Sequence, residues 1–158
     1  MSAPKWLVLT WRLPAASSTA RVATWRGLQR LGAVGLTPGA VILPFSEHLL
    51  EQLEWIAEDI SQRGGDAYVL PVTELPEAEE DDIRRRMQNE RKEEYQQLKE
   101  SAETLRRRLA DTHMNAYERD LAVLQRRLAR ATERDHFASA GRAQAERAIK
   151  LAHKHKEE

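Results

Sequence analysis

The sequence predicts an α+β chain in two parts, a compact β-α-β-β-α-β unit followed by helices alone. Two observations carry this. All four Trp, all six Pro and six of the seven Gly precede residue 77, as tight turns and a small mixed core require. Up to Pro76 there are 6 basic and 7 acidic residues, after it 19 and 18, so charge density rises sharply while net charge stays near zero. The boundary falls in "TELPEAEED", Thr73 to Asp81, giving a domain over 1–76 and a helical extension over 77–158.

"KWLVLTWRLP" reads as the first strand, stopped by Pro14. Trp6 and Val8 fall on one face and Leu7, Leu9 and Trp11 on the other, the pattern of a strand covered on both sides. "SSTARVATWRGLQRLG" has Ser/Thr start signals, ends at Gly32, and sets Val22, Trp25, Leu28 and Leu31 at helical spacing as its inward face. "AVGLTPGAVILP" gives two apolar runs around Thr37-Pro38-Gly39, a hairpin signal. From the N-cap residue Ser46, Leu49, Leu53, Ile56 and Ile60 recur at intervals of four and three until "RGG", and "AYVLPV" makes a fourth strand. This order is the ferredoxin-like split βαβ arrangement.

In the remainder, Ile83, Met87, Tyr95, Leu98, Ala102, Leu105 and Leu109 form one seam and Tyr117, Leu121, Leu124, Leu128 and Ala131 another, with "DTHMN" as the bend of a long antiparallel helical hairpin. "SAGRAQAERAIKLAHK" adds a short alanine-rich helix. The hairpin is expected to pack on the sheet or on a second subunit.

Met1 to Ser46 holds Lys5, Arg12, Arg21, Arg26 and Arg30 and no carboxylate. At about 100° per residue, Arg26 and Arg30 point outward, and with Lys5 they form a candidate DNA-phosphate contact. Arg21 falls inward beside the helix start, where it needs a carboxylate, a carbonyl or a bound anion. Two readings stay open. In one, Arg12, Arg21 and the "AASSTA" loop, with Ser17, Ser18 and Thr19, form an anion pocket. In the other, Arg21 pairs with an acid of the second helix and Arg12 lies on the surface.

The triplets Arg84 to Arg86 and Arg106 to Arg108 are flanked by acids and read as solvated helix faces, one residue of each turned toward the seam. "RDHF", Arg134 to Phe137, reads as a helix stop with Phe137 packed. His153 and His155 read as a disordered tail and not as a metal site. Absence of Cys removes thiolate chemistry and disulfides. The first strand ends Thr10-Trp11-Arg12 and not in an Asp, which disfavours a metal-dependent nuclease of this fold. No Ser/His/Asp set, Walker loop or dinucleotide fingerprint occurs, so neither catalysis nor a cofactor is expected. The apolar run Trp6 to Leu9 is too short for a membrane span, and a soluble cytoplasmic protein is expected.

The ordered set of a strand ending in Leu13-Pro14, Arg21-x-x-x-Trp25-Arg26, Leu31-Gly32-Ala33, Gly39, Leu43-Pro44, a Glu-rich helix and Gly64-Gly65 resembles the N-terminal domain of the chromate resistance protein ChrB family. So do "EEYQQL", Glu93 to Leu98, and "RDHF". The resemblance covers nearly the whole chain. It implies a chromate-responsive transcriptional regulator that binds promoter DNA, is released by the oxyanion and forms a homodimer. The alternative is a non-enzymatic dimerisation module without DNA binding.

Overall fold

The structure, a computed structural model, describes residues 2–15 and 17–157. The chain divides into two compact units, Met1–Arg84 and Arg85–Glu158.

The first unit has the expected β-α-β-β-α-β order: β1 (Trp6–Arg12), α1 (Ser18–Arg30), β2 (Val34–Thr37), β3 (Ala40–Pro44), α2 (Glu47–Gln62) and β4 (Asp66–Val72). The strands form one antiparallel sheet in the order β2-β3-β1-β4, the ferredoxin-like topology. β1 and β3 are the inner strands and both are apolar on both faces, and Leu7 of β1 stands opposite Leu43 of β3 and Pro71 of β4. Pro71 cannot donate to a ladder and so belongs to an edge strand. The hairpin turns at Pro38-Gly39, where Gly39 has φ 81°, a conformation that side-chain-bearing residues rarely adopt.

Leu7, Leu9, Val41 and Leu43 of the sheet pack with Leu28 of α1 and Leu49 and Leu53 of α2. Each fully buried leucine contributes about 2 kcal/mol. α2 starts as its sequence indicates: Ser46 Oγ accepts from the Leu49 N–H at 3.0 Å. On the other sheet face Trp6, Val34 and Ile42 are buried, while Tyr68 and Leu70 of β4 are exposed.

α1 departs from the expected orientation. Its buried residues are Ala20, Thr24 and Leu28, whereas Val22 and Trp25 are exposed. The helix approaches its neighbours closely through small residues: a Cβ on Gly27 would lie 3.7 Å from Ile56 Cδ1 of α2. Trp25 instead lies along the hairpin, its Cη2 within 3.8 Å of where a Cβ on Gly35 would sit.

The second unit holds most of α3 (Glu77–Arg107), a 3-10 turn (Leu109–Asp111), α4 (Met114–Glu133) and α5 (Arg142–His155). The α3–α4 hairpin is antiparallel, since Tyr95 and Glu94 meet Asp135 and Arg134 at the end away from the turn. Tyr95, Leu98, Ala102 and Leu105 pack with Tyr117, Leu121, Leu124 and Ala131 and with Ala145, Ala148, Ile149 and Ala152 of α5. The Tyr117 hydroxyl donates to the Ala152 carbonyl at 2.7 Å, fastening α5 to α4. His153 and His155 are part of α5 and not of a disordered tail; cationic side chains suit the last turn of a helix.

Candidate functional site

The residues singled out for anion binding lie on two sides of the sheet near the β1–α1 junction. Arg12 stands beside Asp66 in the β1–β4 register, and its guanidinium donates to that carboxylate at 3.3 Å with both groups well exposed. Alternation along β1 puts Arg12 on the sheet face of Val8 and Thr10, away from the helices. Arg21 belongs to the helix layer on the opposite face. It is exposed and not turned inward, and it donates to the Pro14 carbonyl at 3.3 Å. Of the three partners open to it, the carbonyl is the one found. Ser17 occupies the N-cap without a side-chain capping bond, Ser18 and Thr19 are exposed, and Ala16 of the same loop lies outside the described residues.

Arg26 and Arg30 project from the solvent side of α1, and Lys5 is exposed just before β1. α1 returns the chain against the direction of β1, so Arg30 and Lys5 lie toward the same end. Among the described residues none of the three takes part in a salt bridge. Beside them, α2 exposes Glu47, Glu51, Glu54, Glu58 and Asp59, with Arg63 pairing only Asp59, at 2.9 Å. Trp55, 62% exposed, stands among these acids, and Trp25 is 42% exposed. Trp25 also lines a shallow groove of about 420 Å³ with Trp11, Leu36 and Pro38.

In the second unit the structure assembles a polar network that the sequence reading left apart. "EEYQQL" and "RDHF" meet at the far end of the hairpin. Asp135 accepts from the Tyr95 hydroxyl at 2.9 Å, from the Ser139 N–H at 3.0 Å and from the Ser139 hydroxyl at 2.6 Å. Asp135 therefore does more than follow a helix stop: it ties the α4–α5 loop to α3. Beside it Glu94 pairs with Arg134 and lies 3.1 Å from Arg91 Nε. That second contact is off-axis, since neither Arg91 Nε nor Glu94 Oε2 makes a hydrogen bond there, and it is Coulombic in character. The signal that could have found this cluster is the concentration of Asp, Arg and Tyr inside two segments 40 residues apart, each of which also continues an apolar seam.

Burial raises the Tyr95 phenol well above its ordinary value, and its bond to Asp135 and the charge of that carboxylate act in the same direction. Burial raises Tyr117 as well. Both groups hold their protons more tightly folded than unfolded, so their stabilisation is complete below pH 10, the ordinary tyrosine value, and is lost as pH rises beyond it. Equilibrium unfolding in urea above that pH should lose up to about 1.4 kcal/mol per pH unit for each tyrosine. Tyr95→Phe removes one of the two contributions and should make the alkaline slope shallower.

Of the arginine triplets, Arg84 pairs with Glu80 at 2.9 Å as a solvated pair, while Arg106 turns toward α5. Among the described residues no cluster of His, Asp and Glu could hold a metal ion, and no helix is long and apolar enough to cross a membrane.

Comparison with known proteins follows the same lines. The family described as "Protein ChrB, N-terminal" matches residues 21–158. Protein ChrB of Cupriavidus metallidurans is 37% identical over 79 residues, 50% of this chain and 24% of that protein. The aligned stretch thus spans about a quarter of the length of the curated relative. No solved structure matches the chain.

Proposed function

The chain belongs to the ChrB family through its N-terminal domain, and from this we propose that it is a cytoplasmic, non-enzymatic regulator that binds promoter DNA and releases it to chromate. The observation that carries the DNA part is the acid-free segment Met1 to Ser46 with Arg26, Arg30 and Lys5 exposed and, among the described residues, without salt-bridge partners. Cations left free on one surface suit a phosphate backbone, each contact releasing a counterion. For the effector, the start of α1 offers exposed Ser18 and Thr19 together with Arg21, held by a single carbonyl bond, while Arg12 stays paired with Asp66 on the other sheet face. Arg21 can exchange that one exposed bond for an anion at small cost.

The test is binding of the purified chain to the DNA upstream of its own gene over a range of salt, with chromate and with sulfate. Binding should weaken with salt and be released by chromate and not by sulfate. Arg26→Ala with Arg30→Ala should reduce the log–log salt slope by about 2. Absence of binding at low salt would rule the reading out for this chain.

A second reading has its own support. The exposed cations of α1 and the exposed acids of α2, with Trp55 exposed among the acids, make a self-complementary surface of the kind a two-fold dimer uses. On that reading sedimentation shows a dimer that Trp55→Ser dissociates, and DNA is not bound.

A further inference from the structure

We infer that the groove between α3 and α5 is a binding site for a compact oxyanion carrying two negative charges. Ala145, Ala148 and Ala152 of α5 share one core seam with residues of α3 and α4, and α5 approaches α4 more closely than α3. Beside that seam lies a groove of about 330 Å³ lined by Lys99, Glu103 and Arg106 of α3 and by Gln144, Arg147, Ala148 and Leu151 of α5. Lys99 and Arg106 are seven residues apart, two turns and about 10 Å along α3. A Cβ on Gly141 would lie 3.3 Å from Tyr95 Cβ, which in a parallel pair of helices sets Arg147 near the level of Ser101. Three cations from two helices therefore surround one space.

Among the described residues none of these cations has a carboxylate within salt-bridge distance, although arginines nearby do: Arg142 binds Glu146 at 2.8 Å and Arg91 lies beside Glu94 at 3.1 Å. Lys99 and Arg106 are half-buried, so part of their hydration is already gone. Glu103 is the single carboxylate in the lining and leaves the groove with a surplus of two positive charges. A guanidinium from each wall can present paired N–H donors to a tetrahedral oxyanion, with Lys99 as a point charge and Gln144 as a neutral donor. Chromate, sulfate and inorganic phosphate share this chemistry. This site is separate from the one proposed at the start of α1, and the inference rests on the proposed function only for the choice among those anions.

The test is equilibrium dialysis of the full chain, without DNA, against each of the three anions at low ionic strength. Arg106→Gln and Arg147→Gln should each weaken binding about tenfold, the loss of one charge-assisted contact. Glu103→Gln should strengthen it severalfold, an effect that no purely structural role for Glu103 produces. Circular dichroism establishes that the variants fold. Preference for chromate identifies the effector, and equal affinities define a general oxyanion site. Lack of binding of all three anions to the wild-type chain, or indifference to both Arg106→Gln and Arg147→Gln, would overturn the inference. DNA binding is measured separately, so failure of the DNA reading and failure of this site are distinct results.

Discussion

Gly65→Ala is expected to destabilise the first unit by about 3 kcal/mol, read from the urea midpoint at unchanged slope. A Cβ on Gly65 would lie 2.4 Å from the Arg12 carbonyl oxygen, 2.9 Å from Ile60 Cγ2 and 3.1 Å from Leu13 Cδ2. The side chains can shift, but the carbonyl belongs to the backbone of β1 where Arg12 stands opposite Asp66. Gly65 cannot retreat either, because its N–H donates to the Ile60 carbonyl at 2.9 Å and so closes the end of α2. Relief therefore requires the loss of ladder pairing or of the helix end. Gly27→Ala is the internal control. Its Cβ would meet Ile56 at an ordinary 3.7 Å within a helix, where alanine is favoured over glycine by up to about 1 kcal/mol. The two substitutions should differ in sign.

Asp135→Ala should cost the second unit a similar amount, about 3 kcal/mol. The carboxylate serves the Tyr95 hydroxyl and both donors of Ser139, and Tyr95 and Ser139 are buried. Removing it leaves three donors without an acceptor and with little access to water, each worth about 1 kcal/mol or more. In a Tyr95→Phe background one of those donors is gone, so Asp135→Ala should cost less there. The difference between the two backgrounds measures the Tyr95–Asp135 coupling. Additive costs would mean that the two residues act independently, contrary to the 2.9 Å bond between them.

How much was legible follows from the range of the interactions involved. The strand Trp6–Arg12, the turn at Pro38-Gly39 and the Ser46 cap are set by contacts within a few residues, and each stands where the pattern placed it. The leucine seams of α3 and α4 were legible because large side chains repeat at helical spacing. α1 was misoriented for the converse reason. Its packing is governed by how closely the helix approaches α2, and that selects Ala20, Thr24 and Gly27 over the larger Val22 and Trp25. α5 gave only a faint pattern because alanine contrasts weakly with its neighbours. The Tyr95–Asp135–Ser139 cluster was not legible as a contact, since residues 40 apart meet only when the hairpin closes. Of the anion-site residues, Arg12 and Arg21 are neighbours in the sequence pattern but project from opposite sides of a sheet, and no local periodicity reports that.

The alanine seam of α5 has an energetic consequence. Methyl groups remove little surface from water, so Ala145, Ala148 and Ala152 hold α5 less firmly, residue for residue, than leucines hold α3 to α4. Partial opening that lifts α5 away is thus less costly than separating α3 from α4. Lys99 and Arg106 would then lose Arg147 from across the groove. A ligand that needs both walls binds only the docked state, and at a hundredfold excess over its Kd it favours docking by about 2.7 kcal/mol. The last helix thereby acts as a latch whose occupancy tracks the concentration of a small anion.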